Sequence, residues 1–309
     1  MEFLAARVLL VVNPAARRAA RLERRAVAAF AAAGVSCEIV RTEHPGHGAI
    51  VVGAACAAPA REYDAIYSLG GDGTAMEVVG AAAGTGVPVG VLPGGTGNLV
   101  ARALGIPLRI ERAVPALLSG SAREIDLGRL NGGRLFMFAA GVGVDVRMLQ
   151  GTSPALKART GVLAYTGAGI AAVLRHRPFT VRVELDDVAI EREAVSVMVA
   201  NFGTVLSGLL ALGPGIREDD GLLDLCVFSP GGVATAARLG WRLFRRDFRP
   251  HPGFLFARGA RLRVDCVPAQ HFQADGEILG ITPFDVDVMP HAARLLVPGA
   301  VGRRAPLRA

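Results

Sequence analysis

Ala65-Ile66-Tyr67-Ser68-Leu69-Gly70-Gly71-Asp72-Gly73-Thr74-Ala75 is the stretch that decides the fold. An apolar run of strand type ends in a glycine-rich turn, and the turn opens straight into helical spacing over 75–83. The same grammar recurs at once. Residues 87–92 read as a strand, Pro93-Gly94-Gly95-Thr96-Gly97-Asn98 as the turn, and 99–104 as the next helix, which stops before Gly105-Ile106-Pro107. Upstream, 7–12 is a strand ending at Asn13-Pro14, 18–33 a helix closed by Gly34, 35–41 a second strand and 48–58 a second helix. Strand and helix alternating at this pace predict a parallel α/β sheet.

Beyond Asp126 the pattern changes to short strands, at 134–139, 179–185, 194–200, 222–228, 261–267 and 284–288, with helical spacing at 160–174 and 233–244. Consecutive short strands separated by turn residues predict a β-sandwich or barrel-like unit. The expected architecture is an α/β N-terminal domain with a parallel sheet, residues 1–127, plus a β-sandwich-like C-terminal domain, residues 128–293. The tail at 294–309 is expected to return to the first domain, and the active site to lie in the cleft between the two.

Composition bounds the function. The 309 residues suit about two domains, and 51% hydrophobic residues with only 6% aromatics imply aliphatic cores. The net charge is +7, carried almost wholly by arginine; Lys157 is the single lysine. Such a surface suits phosphates, nucleic acid or acidic lipid heads, and arginine-rich codon usage gives the same composition. No nucleic-acid motif accompanies the charge, so nucleic acid is not expected as a partner. Cys37, Cys56, Cys226 and Cys266 lack paired spacing and read as free thiols. The uncharged stretches 78–101 and 194–216 are broken by Gly, Pro, Asn and Thr and read as buried strands with loops. Glu2 and Arg7 argue against a signal peptide, so a cytoplasmic chain that touches membranes transiently is expected.

The two glycine turns carry the chemistry. Each follows a strand and opens a helix, so both belong at the carboxyl edge of the sheet, where open α/β folds bind ligands. Glycine lets backbone approach a ligand, and free amides at a helix start favour phosphate. Thr74 and Thr96 can donate hydroxyl bonds or cap their helices. Asp72 is the odd member, because a carboxylate in a phosphate cradle repels phosphate. It therefore implies Mg²⁺, a task on a substrate hydroxyl, or a cap on the third helix.

The motifs together resemble the diacylglycerol kinase catalytic domain family. The resemblance runs in order through Asn13-Pro14, Gly70-Gly71-Asp72-Gly73-Thr74, Pro93 to Asn98 with its continuation to Pro107, Ile125-Asp126-Leu127-Gly128, the Ala-Gly-Val-Gly-Val-Asp core of 136–145, Glu218 to Asp224, and Ala274-Asp275-Gly276-Glu277. It implies an ATP site made by Asn13, Pro14, Ala15, Ala16, Arg17, Thr42, Gly71, Asp72, Gly73, Thr74, Ala75, Met76, Glu77 and Thr96. It implies Glu277 as the base that takes the lipid hydroxyl proton, with Arg18 and Asp126 in a supporting charge network. It also implies a structural Mg²⁺ held by the Asp220 side chain and the carbonyls of Arg217 and Leu222.

The chain departs from that pattern in two places. The first turn reads Asn13-Pro14-Ala15-Ala16-Arg17-Arg18, without the usual Gly and with Arg for Lys, and the planar fork of Arg is no equivalent of an ammonium. Arg217 stands where a small polar residue is common. Phosphoryl transfer needs the γ-phosphate positioned, its charge neutralised and a hydroxyl aligned. Glu277 beside Asp275, near Asp72 across the cleft, is expected to supply a base of raised pKa. Taken alone, Asp275-Gly276-Glu277 also reads as a β-turn.

Two lesser features have competing readings. His44 and His47 flank Pro45-Gly46 and read as a loop entering a helix rather than a metal pair. The basic, aromatic stretch 241–249 reads either as a lipid-facing surface or as a solvated helix face. The expected function is an ATP- and Mg²⁺-dependent kinase of diacylglycerol or a related lipid alcohol, met at the membrane surface. An NAD-kinase-like enzyme and a catalytically silent nucleotide- or lipid-binding regulator are the alternatives. A homodimer stays open.

Overall fold

The computed structural model describes residues 5–16, 19–58, 62–143, 178–205, 210–229 and 231–299. The helix expected at 160–174 lies outside the described residues. The chain divides into two compact units, Met1–Ile125 with Ala292–Ala309, and Asp126–His291. The sequence reading set the junctions at 127/128 and 293/294.

The first unit contains β1 (Arg7–Val12), α1 (Ala19–Ala32), β2 (Ser36–Arg41), α2 (His47–Ala57), β3 (Ala65–Gly70), α3 (Asp72–Ala82), β4 (Val89–Pro93), α4 (Leu99–Ala103) and α5 (Ile110–Leu118). The strands run parallel in the order β2-β1-β3-β4. β1 and β3 are wholly apolar but for Arg7, Ser68 and Gly70, which is how a strand covered on both faces reads. α1 packs on α5, and α2 on α3. The returning end of the chain adds a further parallel strand, pairing Leu295 with Val89 of β4. α5 was not expected from sequence; Ile110, Ala113, Val114 and Leu117 form its buried stripe, and Pro115 obscures the pattern. Between β1 and β3 the order of the sheet reverses, so the turns after those strands open at the position where doubly wound sheets bind ligands.

The second unit is antiparallel. β5 (Ser121–Leu130) enters it and pairs with β6 (Arg134–Phe136). One sheet has the order β14-β13-β10-β7-β16-β17, from β7 (Ala139–Gly143), β10 (Ser196–Ala200), β13 (Leu223–Phe228), β14 (Phe254–Gly259), β16 (His271–Ala274) and β17 (Glu277–Ile281). The other strands are β8 (Phe179–Leu185), β9 (Val188–Ala194), β15 (Arg261–Val267) and the first part of β18 (Phe284–Val297). Residues from both sets, among them Val142, Val197, Leu225 and Phe272 against Val181, Val183, Val264 and Phe284, meet in one buried core. That is a β-sandwich. The short pair β11 (Thr204–Val205) and β12 (Leu210–Ala211) and the helix α6 (Val233–Phe244) complete the unit. Among the described residues no helix is long and apolar enough to cross a membrane.

Candidate active site

The turn after β1 is built by Asn13. Its side-chain oxygen accepts the amide of Ala15 at 2.9 Å, its own amide bonds to the carbonyl of Leu69 at 3.0 Å, and its side-chain nitrogen donates to the Thr74 hydroxyl at 3.1 Å. Asn13 thus couples the first turn to the start of α3, and Thr74 is buried in that role rather than capping its helix. Pro14, Ala15 and Ala16 follow in the same turn, while Arg17 and Arg18 lie outside the described residues. Thr42 follows β2, its amide bonded to the carbonyl of Val12 at 2.8 Å. Glu77, on α3, accepts the amide of Ala49 in the first turn of α2 at 3.1 Å. These residues share the carboxyl edge of one parallel sheet.

The two glycine turns meet there. The Gly94 amide donates to the carbonyl of Gly70 at 2.9 Å. A Cβ on Gly95 would lie 2.6 Å from the Gly71 Cα, and one on Gly94 would lie 2.9 Å from the Gly70 nitrogen. Glycine is required at both positions because backbone packs on backbone. Asn98, left-handed at φ 49°, ties off the second turn by exchanging hydrogen bonds with the amide and carbonyl of Gly95, both at 2.9 Å. Gly73 and Thr96 face outward, and a Cβ on Gly73 would meet nothing within 4 Å. Gly71 starts α3 with no side-chain cap. Ala75 is buried in the core beneath the turn, and Met76 is half-buried.

Asp72 has a role that the sequence reading did not contain. Its carboxylate accepts the amide of Val100 at 3.1 Å, so it closes the start of α4. Burial pushes its carboxyl above the usual aspartate range, and hydrogen bonds from the amides of Val100, Leu99, Asp72 and Asn98 pull it partly back. The amides at the start of α4 are therefore occupied by a carboxylate. Those at the start of α3 have no side-chain partner at the cap.

In the second unit, Glu277 begins β17 and its ion-pair partner is Arg134, at 2.5 Å. Asp275 does not stand beside it as a second acid. Its carboxylate turns to the chain and accepts the amides of Met137, Phe138 and Ala139 at 2.7, 2.8 and 3.1 Å. Burial pushes its carboxyl up to about 6 against those bonds. Asp126 is fully buried and accepts the amides of Gly221 at 2.7 Å and His291 at 2.8 Å, pinning the 218–222 turn to β5 and β18. Its expected partner Arg18 is outside the described residues.

At the expected structural Mg²⁺ site an arginine stands beside the acidic side chain. The Asp220 carboxylate accepts the amide of Leu222 at 3.2 Å and faces the Arg258 guanidinium at 3.6 Å. The same guanidinium reaches Asp224 at 3.0 Å and the carbonyl of Gly215 at 3.3 Å, while the Arg217 side chain pairs with Asp219 at 3.0 Å. The Arg258 guanidinium thus supplies a positive charge beside Asp220, the single side chain expected to ligate there. Among the described residues, no three His, Cys, Asp or Glu side chains are grouped to hold a metal. His44 and His47 stack on each other at 5.2 Å, and His47 accepts the amide of Glu43 at 3.1 Å.

Arg134, Arg258 and the Asp72–Val100 contact were not read from sequence. Arg134 and Glu277 are far apart along the chain, and the sandwich alone brings them together.

The comparisons with known proteins agree with this arrangement. Residues 7–130 match the model for the diacylglycerol kinase catalytic domain, and 139–297 match that for the YegS C-terminal NAD kinase beta sandwich-like domain. A diacylglycerol kinase of Bacillus subtilis is 32% identical over 74% of this chain and 76% of its own length. One of Mycobacterium tuberculosis is 30% identical over 78% and 79%. An uncharacterized protein of Synechocystis is 32% identical over 75% of this chain, which spans only 54% of that protein. The crystal structure of a diacylglycerol kinase from Bacillus anthracis superposes with a TM-score of 0.74 over 96% of this chain and 99% of that one, at 23% identity, a likeness of fold. The chain belongs to the diacylglycerol kinase catalytic domain family, a family of lipid kinases.

Proposed function

We propose that this lipid kinase transfers the γ-phosphate of ATP to the hydroxyl of diacylglycerol or a related lipid alcohol. The observation that carries the reading is the contact of Gly95 on Gly71 at the carboxyl edge of the parallel sheet. Two backbone turns packed this closely leave the start of α3, with its uncapped amides and side-chain-free Gly73, as a surface that a triphosphate can approach.

Each residue has a task in that reading. Asn13 and Thr74 hold the first turn against α3, so the nucleotide meets a rigid wall. Asp72 anchors the second turn through Val100, which keeps Thr96 and Gly97 in place beside the first, and its negative charge is assigned to the divalent ion that would come with the nucleotide. Glu77 fixes the adjoining end of α2 by holding the amide of Ala49, and Thr42 lies beside Gly48 there. Glu277 is assigned the proton of the lipid hydroxyl, and Arg134, its ion-pair partner, positions that carboxylate. A divalent ion such as Mg²⁺, arriving with the nucleotide, would neutralise the phosphate oxygens.

A second reading rests on the match of residues 139–297 to an NAD-kinase-like sandwich, which allows NAD as the hydroxyl acceptor. Incubation with ATP labelled in its γ-phosphate, with NAD and a lipid extract both present, separates the two. Label in the organic phase supports the lipid reading, and label in NADP alone replaces it.

A further inference from the structure

Helix α6 (Val233–Phe244) has two faces of opposite character. Inward, Leu239 and Leu243 pack with Phe254 in a small core joined by Phe228, Phe248 and Phe256. The rings brace one another, Phe228 on Phe254 and Phe248 on Phe256, each with centroids 5.7 Å apart. The Arg242 guanidinium lies 5.6 Å from the Phe254 ring centre, and it bonds to Asp247 and to the carbonyl of Arg249. The helix is therefore held firmly from below.

Outward, Trp241 is 58% and Phe244 53% exposed, and the two rings stack with centroids 5.6 Å apart. Arg238 and Arg245 flank them on the same face, at helical spacings of three and four, and the Arg245 guanidinium lies 6.0 Å from the Trp241 ring. The acid of the following turn, Asp247, is neutralised by Arg249 and Arg242; these partners hold its carboxyl well below the usual range. The face thus combines an aromatic centre with arginines that pair with no carboxylate among the described residues, on a chain of net charge +7. Single exposed apolar residues are ordinary, but a stacked Trp–Phe pair between arginines has the composition of an interfacial surface.

We propose that this face of α6 docks on a bilayer containing anionic phospholipid. Trp241 and Phe244 enter the headgroup region, and Arg238 and Arg245 meet the lipid phosphates. Charge complementarity selects this occupant. A second copy laid face to face would oppose the same arginines to themselves, whereas an anionic bilayer attracts them. The inference rests on the lipid-kinase reading only in that the substrate of such an enzyme resides in a bilayer.

Trp241 is the single tryptophan of the chain, so tryptophan emission, excited selectively over the three tyrosines, reports this face. Protein is titrated with phosphatidylcholine vesicles with and without phosphatidylglycerol, without nucleotide. The expected result is a blue shift and reduced iodide quenching with the anionic vesicles, weakened by salt. The charge-reversed variant R238E/R245E should bind them about tenfold or more weakly, and F244S should lose most of the blue shift, each keeping a cooperative thermal transition. Vesicle binding without a change in Trp241 emission overturns the proposal, as does equal binding by the charge-reversed variant. An emission shift that grows with protein concentration in the absence of vesicles, together with a dimeric mass, also overturns it. Because the titration involves no turnover, its failure is distinct from failure of the kinase reading.

Discussion

The Asp72 carboxylate accepts the amide hydrogen of Val100 at 3.1 Å, so a side chain from the first glycine turn closes the helix that follows the second. The two turns are one object, joined here, at the Gly94–Gly70 backbone bond and at the Gly95–Gly71 contact. A helix start filled by a carboxylate disfavours phosphate, so the proposed place for phosphate is the start of α3.

Asp72→Ala should cost about 1–2 kcal/mol of stability, the range for a lost helix cap, and abolish turnover. Asp72→Asn keeps an acceptor for Val100, so it should recover most of the stability without recovering activity. Urea unfolding beside kinetic assay of both variants checks the pair. Full activity in Asp72→Asn would make the residue a cap only.

Gly95→Ala and Gly73→Ala should behave oppositely. The first drives a methyl against the Gly71 Cα at 2.6 Å and should destabilise by about 1–3 kcal/mol, with loss of ATP binding. The second places a methyl in open space on a helix and should stabilise by a few tenths of a kcal/mol or more. If phosphate occupies that space, Gly73→Ala should nonetheless bind ATP more weakly. Calorimetric titration with ATP reads both, and unaltered ATP affinity in Gly73→Ala would move the phosphates elsewhere.

Much of this was legible beforehand because the first unit writes its structure locally. Apolar strands followed by Gly-Gly turns and helical spacing locate β3, α3 and β4 to within three residues, and place Gly71 and Gly95 on one edge. The second unit was legible in part: β8, β15 and α6 were read with their observed bounds, and β10 and β13 to within two residues. β14 and β17 have few buried positions and no distinct alternation, and β9 buries only Ala194, so their sequences do not announce strands. The site contacts that were missed, Asp72 with Val100, Glu277 with Arg134 and Asp275 with the 137–139 amides, join residues far apart along the chain. No spacing encodes such pairs. The acidic motif Asp275-Gly276-Glu277 reads as two adjacent acids, yet the fold turns one inward to backbone amides and leaves the other on the surface.

Asp275 gives a pH test. Burial raises its folded pKa to about 6, above the unfolded value of about 3.9. Ionisation is thus harder in the fold, so its stabilising contribution is complete below about pH 4 and falls as pH rises through 6. Asp275→Asn suits the left-handed backbone at φ 47° and removes the titration; it also sets an amide donor against a backbone N–H, a pH-independent cost that cancels when the two pH values are compared. The stability of the wild type relative to this variant should fall by up to about 3 kcal/mol between pH 4 and 7. A difference that grows with pH would show that the three amides hold the carboxylate ionised.

Arg258 supplies the cation at the 215–224 turn, so chelation should leave the wild-type melting temperature unchanged. Arg258→Ala leaves Asp220 and Asp224 facing each other and should cost about 1–2 kcal/mol, allowing for the partial exposure of the pair. Mg²⁺ should then restore part of the loss. A wild-type melting temperature that drops on chelation would place a metal where the guanidinium lies.

Transfer itself is the most direct test. Purified protein is incubated with Mg²⁺, ATP labelled in its γ-phosphate and diacylglycerol vesicles, and the products are extracted and separated. Label is expected in phosphatidic acid, with Glu277→Gln reduced at least about a hundredfold while its ATP affinity stays close to wild type. Label confined to the aqueous phase with every lipid alcohol offered, or wild-type transfer by Glu277→Gln, would contradict the account.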